Sequence, residues 1–210
     1  IRFFYLVIYT NKESYPIIQP YINNSNIKVI IKEFDEFYCY KYNWINNHKK
    51  NHLLNINSRF NTDWKLNMLW NEKIHFLNDI IKKKIFNTDY YGWCDIGYFR
   101  NKNEIVKKWP NKEKINRLDK HKIYYARVNK NINELYKYVL NKNENNLPKI
   151  PIPPNQVSFA GGFFILHKDK YNWWHKVYYN TLTKYFNHDY LVKDDQIILL
   201  DCIINNLKHF

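Results

Sequence analysis

The chain is poor in glycine and cysteine, and each shortage excludes a class of protein. Only 4 of its 210 residues are glycine, and it contains no G-x-G-x-x-G, P-loop or G-x-S-x-G motif. A glycine-rich phosphate cradle of the usual dinucleotide or ATP kind is therefore excluded. The 3 cysteines are widely spaced and form no C-x-x-C pair, which argues against a disulfide scaffold or a structural zinc site.

The sequence also lacks a long apolar run. No stretch reaches the roughly 18 residues that a membrane span requires, so we expect no membrane-spanning segment. The unpaired cysteines and the absence of a recognisable secretory signal favour a reducing, cytoplasmic location. Because Ile1 is not an initiator methionine, the sequence is also compatible with a fragment of a longer chain.

Apolar side chains and positive charge are abundant. Hydrophobic residues make up 45% of the chain and aromatic residues 19%, which predicts a folded single domain over residues 1–210. The formal net charge is +14, and nearly all of the basic residues are lysine. This positive charge indicates either a lysine-rich surface that results from AT-rich codons in the gene, or a surface that attracts anionic ligands. Proteins that recognise nucleic-acid sequences usually bind the bases with the planar guanidinium groups of arginine, which is scarce here. A nucleotide-sugar therefore suits this positive charge as well as a polynucleotide does.

The alternation of apolar patterns predicts the fold class. Continuous apolar runs indicate strands, and apolar residues spaced by three and four indicate helices. The predicted strands are 3–9, 27–31, 90–94, 123–128 and 157–166, and the predicted helices are 63–85, 131–140, 169–186 and one that starts at 194. This order favours an α/β domain with a mostly parallel central sheet flanked by helices.

Ligands of parallel sheets bind outside the carboxyl ends of the strands, so polar residues directly after strands are candidate site residues. Thr10 and Asn11 follow the first predicted strand, and Asp95 follows Trp93-Cys94. A carboxylate at the position of Asp95 suits a divalent cation or a ribose hydroxyl. It is equally suited to forming a turn or capping a helix.

Two further segments carry polar or glycine residues with open interpretations. Asp194, Asp195 and Gln196 begin the last predicted helix, where acids cap free amides or face an acceptor hydroxyl. Gly161 and Gly162 interrupt an apolar run, which indicates a bulge, tight packing of another element, or a substrate lying against bare backbone.

Two basic residues border these segments. Lys73 lies at the edge of the apolar stripe of the long predicted helix, where it extends to solvent or points at a phosphate. Arg100 follows Asp95 by five residues, and its planar fork suits a diphosphate or a carboxylate.

Several of these residues occur in segments that resemble a known family. Trp70-Asn71-Glu72-Lys73 and the block from Phe86 to Arg100, which contains Trp93-Cys94-Asp95-Ile96-Gly97, resemble the pattern of the HtrL/YibB-like family. The segments 160–164 and 194–196 are similar to its glycine-pair and acid-acid-glutamine segments. The matched order covers roughly residues 1–205.

The resemblance implies a glycosyltransferase with a GT-A fold. It implies a nucleotide-sugar donor of the UDP type, a glycan or glycoprotein acceptor, and Mn²⁺ or Mg²⁺ on the diphosphate, held by Asp95. Where GT-A enzymes carry a second acid in a D-x-D pair, this chain has Gly97. The pair Asp195-Gln196 is similar to a D-Q pair that lies near the reacting sugar in some retaining members.

The resemblance and the residues together yield one set of assignments. Asp194, Asp195 and Gln196 are the predicted catalytic residues, and Asp95 is the predicted metal residue. The predicted nucleotide-sugar residues are Thr10, Asn11, Lys73, Asp95, Arg100, Gly161 and Gly162. Two alternatives stay open: a lysine-rich nucleic-acid-binding module with exposed aromatic residues, and an inactive relative that only binds glycans.

Overall fold

The structure, a computed structural model, describes residues 4–40, 44–56, 63–99, 109–129 and 131–210. Arg100 lies outside the described residues. The strands are β1 (Leu6–Thr10), β2 (Ile27–Ile31), β3 (Tyr90–Cys94), β4 (Ile123–Arg127) and β5 (Phe159–His167). The α-helices are α1 (Tyr15–Ile18), α2 (Ile45–Ile56), α3 (Trp64–Lys82), α4 (Lys112–Ile115), α5 (Asn133–Leu140), α6 (Tyr171–Asn187) and α7 (Asp195–Ile204).

The strands confirm a mixed α/β protein but correct the predicted sheet. β1 and β2 form a parallel pair, whereas the larger sheet has the order β3-β5-β4 and both of its pairings are antiparallel. The expectation of a mostly parallel central sheet is therefore wrong for this sheet. An apolar run shows that a strand is covered on its faces, but it carries no information on the direction of the neighbouring strand.

Helix α7 packs against β5, the middle strand of the larger sheet, α3 packs against β3, and α6 packs against both α3 and α7. The apolar side of α6 is buried at Trp174, Tyr178, Leu182 and Tyr185. In α7, the residues Ile197, Leu200 and Ile204 are buried. Leu207 is instead 50% exposed. It lies in a short 3-10 turn after α7 has ended.

The long helix α3 begins and ends close to its predicted limits. The Asp63 carboxylate accepts a hydrogen bond of 2.6 Å from the Lys65 amide and caps the first turn. Helical geometry ends at Lys82, and Lys84 has a φ of 49°. Helix α2 was not predicted, because its sequence of asparagine, histidine and lysine has only a weak apolar face. Within the described ranges, no helix is long and apolar enough to cross a membrane.

Candidate functional site

A buried lysine joins two aspartates from distant parts of the chain. The Lys73 Nζ atom lies 3.1 Å from Asp95 Oδ2, 3.3 Å from Asp195 Oδ2 and 3.1 Å from the carbonyl oxygen of Gly161. We call these four residues the Lys73 cluster. The side chains of Lys73 and Asp195 are 7% and 9% exposed, whereas that of Asp95 is 32% exposed. Asp95 is therefore the carboxylate of this cluster that a ligand can reach most easily.

The position of Lys73 on helix α3 is fixed by contacts of the two residues that precede it. Asn71 is completely buried, and its side-chain oxygen accepts a hydrogen bond of 2.6 Å from the Tyr178 hydroxyl on α6. The Tyr179 hydroxyl donates to the Asn71 carbonyl at 2.8 Å. These two bonds hold α3 against α6, and the helical rotation then directs Lys73 to a different face of α3.

Glu72 joins another face of α3 to the segment after β2. Its two carboxylate oxygens accept hydrogen bonds from the backbone amides of Tyr38 and Cys39, at 2.6 and 3.0 Å. Burial raises the pKa of Glu72 above its usual range, and the hydrogen bonds from these amides and the charge of Lys32 oppose that rise. The consecutive polar residues Asn71, Glu72 and Lys73 therefore serve three different contacts.

The pairing of β3 with β5 places Asp95. Its backbone amide donates a hydrogen bond of 2.8 Å to the Gly162 carbonyl, which continues the β3–β5 register one residue beyond β3. The indole nitrogen of Trp93, two residues earlier in the strand, donates to Asp95 Oδ1. The Asp95 carbonyl in turn accepts from the Tyr98 amide at 2.9 Å and closes a turn. Asp95 is thus held by both its backbone and its side chain.

The N-terminus of α7 places Asp195. The Asp194 carboxylate accepts a hydrogen bond of 3.1 Å from the Gln196 amide, so Asp194 caps the helix and Asp195 is its first residue. A Cβ atom at Gly161 would lie 2.8 Å from Asp195 Oδ1 and 2.9 Å from Asp195 Cγ. Glycine at position 161 is therefore what allows β5 to approach the Asp195 carboxylate this closely.

The charges of the cluster do not balance. One ammonium group faces two carboxylates, and Asp195 loses most of its contact with water. Burial raises the pKa of Asp195 from 3.8 to about 6, and the charge of Lys73 opposes this rise. Asp195 also lines a small cavity together with Lys73 and Gly161, and the cavity has room for about one water molecule. The site can therefore change its protonation near neutral pH.

The residues present fit a divalent cation poorly. Within the described ranges, no group of three or more histidine, cysteine, aspartate or glutamate side chains is arranged to hold a metal. The place between Asp95 and Asp195 is taken by the ammonium of Lys73, and a second cation there would be repelled. The metal role of Asp95 stays a prediction, and no step proposed below uses it.

The structure unites some of the predicted site residues and not others. Lys73, Asp95, Gly161 and Asp195 make direct contact, and Gly162 borders Asp95. Lys73 neither extends to solvent nor stands free for a phosphate, since it is buried with three acceptors.

The remaining predicted residues lie apart from these contacts. The Asn11 side-chain oxygen accepts from the Ser14 amide at 2.9 Å and forms a turn after β1, next to Thr10. Among the described residues, neither Thr10 nor Asn11 forms a hydrogen bond with the Lys73 cluster. Gln196 is half-buried and supplies its amide to the Asp194 cap.

Sequence reasoning missed the supporting residues. Trp93 is separated from Asp95 by one residue, so both point to the same face of an extended chain. That spacing was a usable signal. The anchoring roles of Asn71 and Glu72, and the lining of the cavity by Tyr125 and Tyr178, depend on packing between segments that are distant in sequence, and they left no local pattern.

Comparison with known proteins identifies a family for nearly the whole chain. A family model described as "Bacterial protein of unknown function (HtrL_YibB)" matches residues 6–210. No curated protein and no solved structure matches the chain. The match therefore identifies a family but no activity.

Proposed function

The chain belongs to the HtrL_YibB family, and we propose that it is a glycosyltransferase. It moves a sugar from a nucleotide-sugar donor of the UDP type to a hydroxyl of a glycan or a glycosylated protein. The observation that carries the proposal is the Lys73 cluster itself. Residues separated by 22, 88 and 122 positions from Lys73 meet at its ammonium group, and one of the two carboxylates is open to a ligand.

In the proposed reaction, Asp95 contacts the acceptor. The acceptor hydroxyl donates its hydrogen bond to the Asp95 carboxylate, which takes up the proton as the acceptor oxygen bonds to the anomeric carbon of the donor sugar. The bond between that carbon and the phosphate oxygen breaks, and its electron pair leaves with the nucleoside diphosphate. Lys73 and Trp93 orient the carboxylate, at Oδ2 and Oδ1 respectively.

Asp195 acts on the reaction through Lys73. It is buried behind the ammonium group and shares it with Asp95. When Asp195 is protonated, it no longer competes as an anion for Lys73, and the pairing of Lys73 with Asp95 is strengthened. Asp195 is therefore a positioning residue that acts on Asp95 through the ammonium group that both carboxylates share.

The GT-A fold is part of the proposal. The mixed α/β architecture supports it in outline, whereas the antiparallel position of β5 between β3 and β4 departs from a mostly parallel sheet. The cytoplasmic location belongs to the proposal in the same way. The Mn²⁺ or Mg²⁺ ion stays a prediction that the proposed reaction does not use, because the residues of the site fit a divalent cation poorly.

A donor screen tests the proposed function. The purified chain is incubated with UDP-glucose, UDP-galactose and UDP-N-acetylglucosamine, each with and without Mn²⁺, and the release of UDP is followed. We expect at least one donor to release UDP. Asp95→Asn should remove this release while the melting temperature stays nearly unchanged, because the amide keeps the shape of the side chain.

A matched control lies at the other end of the same strand. Asp89 directly precedes β3, is exposed and pairs with Lys168, so Asp89→Asn changes the same charge without touching the cluster. Release of UDP by this variant should equal that of the unmodified chain. If no donor is turned over, or if Asp95→Asn retains full turnover, the proposed role of the site is wrong.

A further inference from the structure

A group of aromatic side chains lies beside Asp95. The ring centroids of Tyr98 and Phe99 are 5.2 Å apart, those of Phe99 and Trp109 are 4.8 Å apart, and Phe163 lies 5.5 Å from Tyr98 and 5.8 Å from Trp109. We call these four residues the aromatic platform. Tyr98 and Phe99 are 38% and 40% exposed. Large rings in mutual contact are thus kept partly in water instead of being buried in the core.

Gly162 separates the platform from the carboxylate. A Cβ atom at Gly162 would lie 3.4 Å from Asp95 Oδ2 and 3.5 Å from Cδ2 of Tyr98. The bare backbone of Gly162 is therefore bounded by a carboxylate on one side and an aromatic ring on the other. The space above it is kept open because position 162 carries no side chain.

We propose that Asp95, Gly162 and the aromatic platform form a carbohydrate subsite that holds one sugar ring of the acceptor. The apolar C–H face of the sugar stacks on the exposed ring of Tyr98, and a hydroxyl at its edge donates to Asp95. The assignment of this sugar to the acceptor rests on the proposed function, whereas its binding here does not.

The charge of the site favours a sugar over a phosphate. The exposed group next to Tyr98 is a carboxylate, which accepts hydrogen bonds from hydroxyls and repels phosphate oxygens. Lys73, which pairs with this carboxylate, already has three acceptors, and the cluster contains more carboxylates than ammonium groups. A neutral ligand rich in hydroxyl donors, with one apolar face, complements both halves of this surface.

Saccharide binding measured by saturation-transfer NMR tests the subsite. The probes are lactose, N,N′-diacetylchitobiose, maltotriose and cellotriose at millimolar concentration, and uridine serves as a probe for nucleobase stacking. Tyr98→Ala removes the stacking ring, and Gly162→Ala fills the space above the backbone. Each should weaken binding of the responding saccharide roughly tenfold. Tyr21→Ala, which removes a strongly exposed ring outside the platform, should leave it unchanged.

Melting temperatures separate binding from folding. At Gly162 the new methyl group would make ordinary or slightly tight contacts with flexible side chains, so this variant should fold even if Tyr98→Ala does not. The inference is overturned if no saccharide binds, if the platform variants bind as the unmodified chain does, or if uridine is the ligand that they lose.

The outcomes also separate this inference from the proposed function. Saccharide binding that depends on Tyr98 and Gly162, without release of UDP from any donor, would disprove the transferase and retain the subsite. Turnover of a donor that is insensitive to Tyr98→Ala and Gly162→Ala, without saccharide binding, would retain the transferase and disprove the subsite.

Discussion

Two lysine–aspartate contacts in this protein have the same chemistry but differ in the number of carboxylates that each ammonium group faces. In the first, Lys142 lies 3.1 and 3.2 Å from the two carboxylate oxygens of Asp201 on α7. The Tyr185 hydroxyl donates to the same carboxylate at 2.7 Å, and the Asn205 side chain donates to it as well. One acid meets one base, and the remaining acceptor positions are used by neutral donors.

In the Lys73 cluster, by contrast, the carboxylates outnumber the ammonium groups. Two carboxylates share one ammonium, and one of them, Asp95, keeps 32% of its side-chain surface exposed beside the backbone of Gly162. The saturated pair at Lys142 fixes a loop to α7 and offers nothing to a ligand. The unsaturated cluster leaves a charged acceptor at the surface. The number and exposure of the acceptors therefore distinguish a candidate site from a structural ion pair.

The largest expected effect comes from removing the lysine of each contact. Lys73→Met leaves two carboxylates without their cation, one of them buried, and should lower the free energy of unfolding by about 3–5 kcal/mol. Lys142→Met should cost about 1–3 kcal/mol, because Asp201 keeps its hydrogen bonds from Tyr185 and Asn205. Urea denaturation measures both. Equal losses of unfolding free energy in the two variants would mean that the extra carboxylate of the Lys73 cluster has no effect on stability.

A pH series on Asp195 gives the next largest effect. Its pKa is raised by burial from 3.8 to about 6, so the folded state binds its proton more tightly than the unfolded state does. The resulting stabilisation is complete below pH 3.8 and is lost as the pH rises through 6, with a total of about 3 kcal/mol. Asp195→Asn should remove this dependence of the unfolding free energy on pH. As the pH rises from 4 to 7, the variant should therefore become progressively more stable relative to the unmodified chain.

Urea denaturation at each pH provides the measurement for this series. Asp169→Asn, which changes a largely exposed carboxylate, is the control and should leave the slope in place. A slope that is identical in the unmodified chain and in Asp195→Asn would show that Asp195 is not the titrating group.

The two adjacent glycines should respond differently to the same substitution. Gly161→Ala pushes a methyl group into the Asp195 carboxylate and should cost about 2 kcal/mol, because either Asp195 or β5 must shift. Gly162→Ala meets only contacts of 3.4 Å and longer and should change the free energy of unfolding by less than about 0.5 kcal/mol. Thermal denaturation of both variants tests this, and equal losses would contradict the described position of Asp195.

The smallest effect concerns a buried histidine that has no polar partner in the part of the chain that the structure describes. His48 on α2 is 1% exposed, neither of its ring nitrogens has a hydrogen bond to a described residue, and its ring packs edge-on against Phe186. His48→Phe keeps the ring and removes the unsatisfied atoms, so it should raise the free energy of unfolding by about 1 kcal/mol at pH 7.

The gain should grow in acid. Burial lowers the pKa of His48 from 6.5 to about 3, so the unfolded state binds the proton first and the unmodified chain loses stability as the pH falls below 6.5. The direction is opposite to that of Asp195. A gain for His48→Phe that stays constant between pH 7 and 4 would contradict the description of His48 as a buried neutral ring.

Much of the candidate site could be predicted residue by residue. The positions of Asp95 after a strand and of Asp195 at a helix start follow from local periodicity and capping, and the structure places both as expected. The role of Lys73 could not be predicted in this way. Its place on the border of the apolar stripe was visible, but its partners are far away in the sequence.

Local interactions were therefore sufficient to define where α3, α6 and α7 run, because helix periodicity and end caps involve residues only a few positions apart. The antiparallel direction of β5 and the meeting of Lys73 with Asp95 and Asp195 were decided by packing. Both depend on contacts between segments that are tens of residues apart, and such contacts are specified by the core as a whole. No single stretch of the chain contains the complementary surfaces that bring these side chains together.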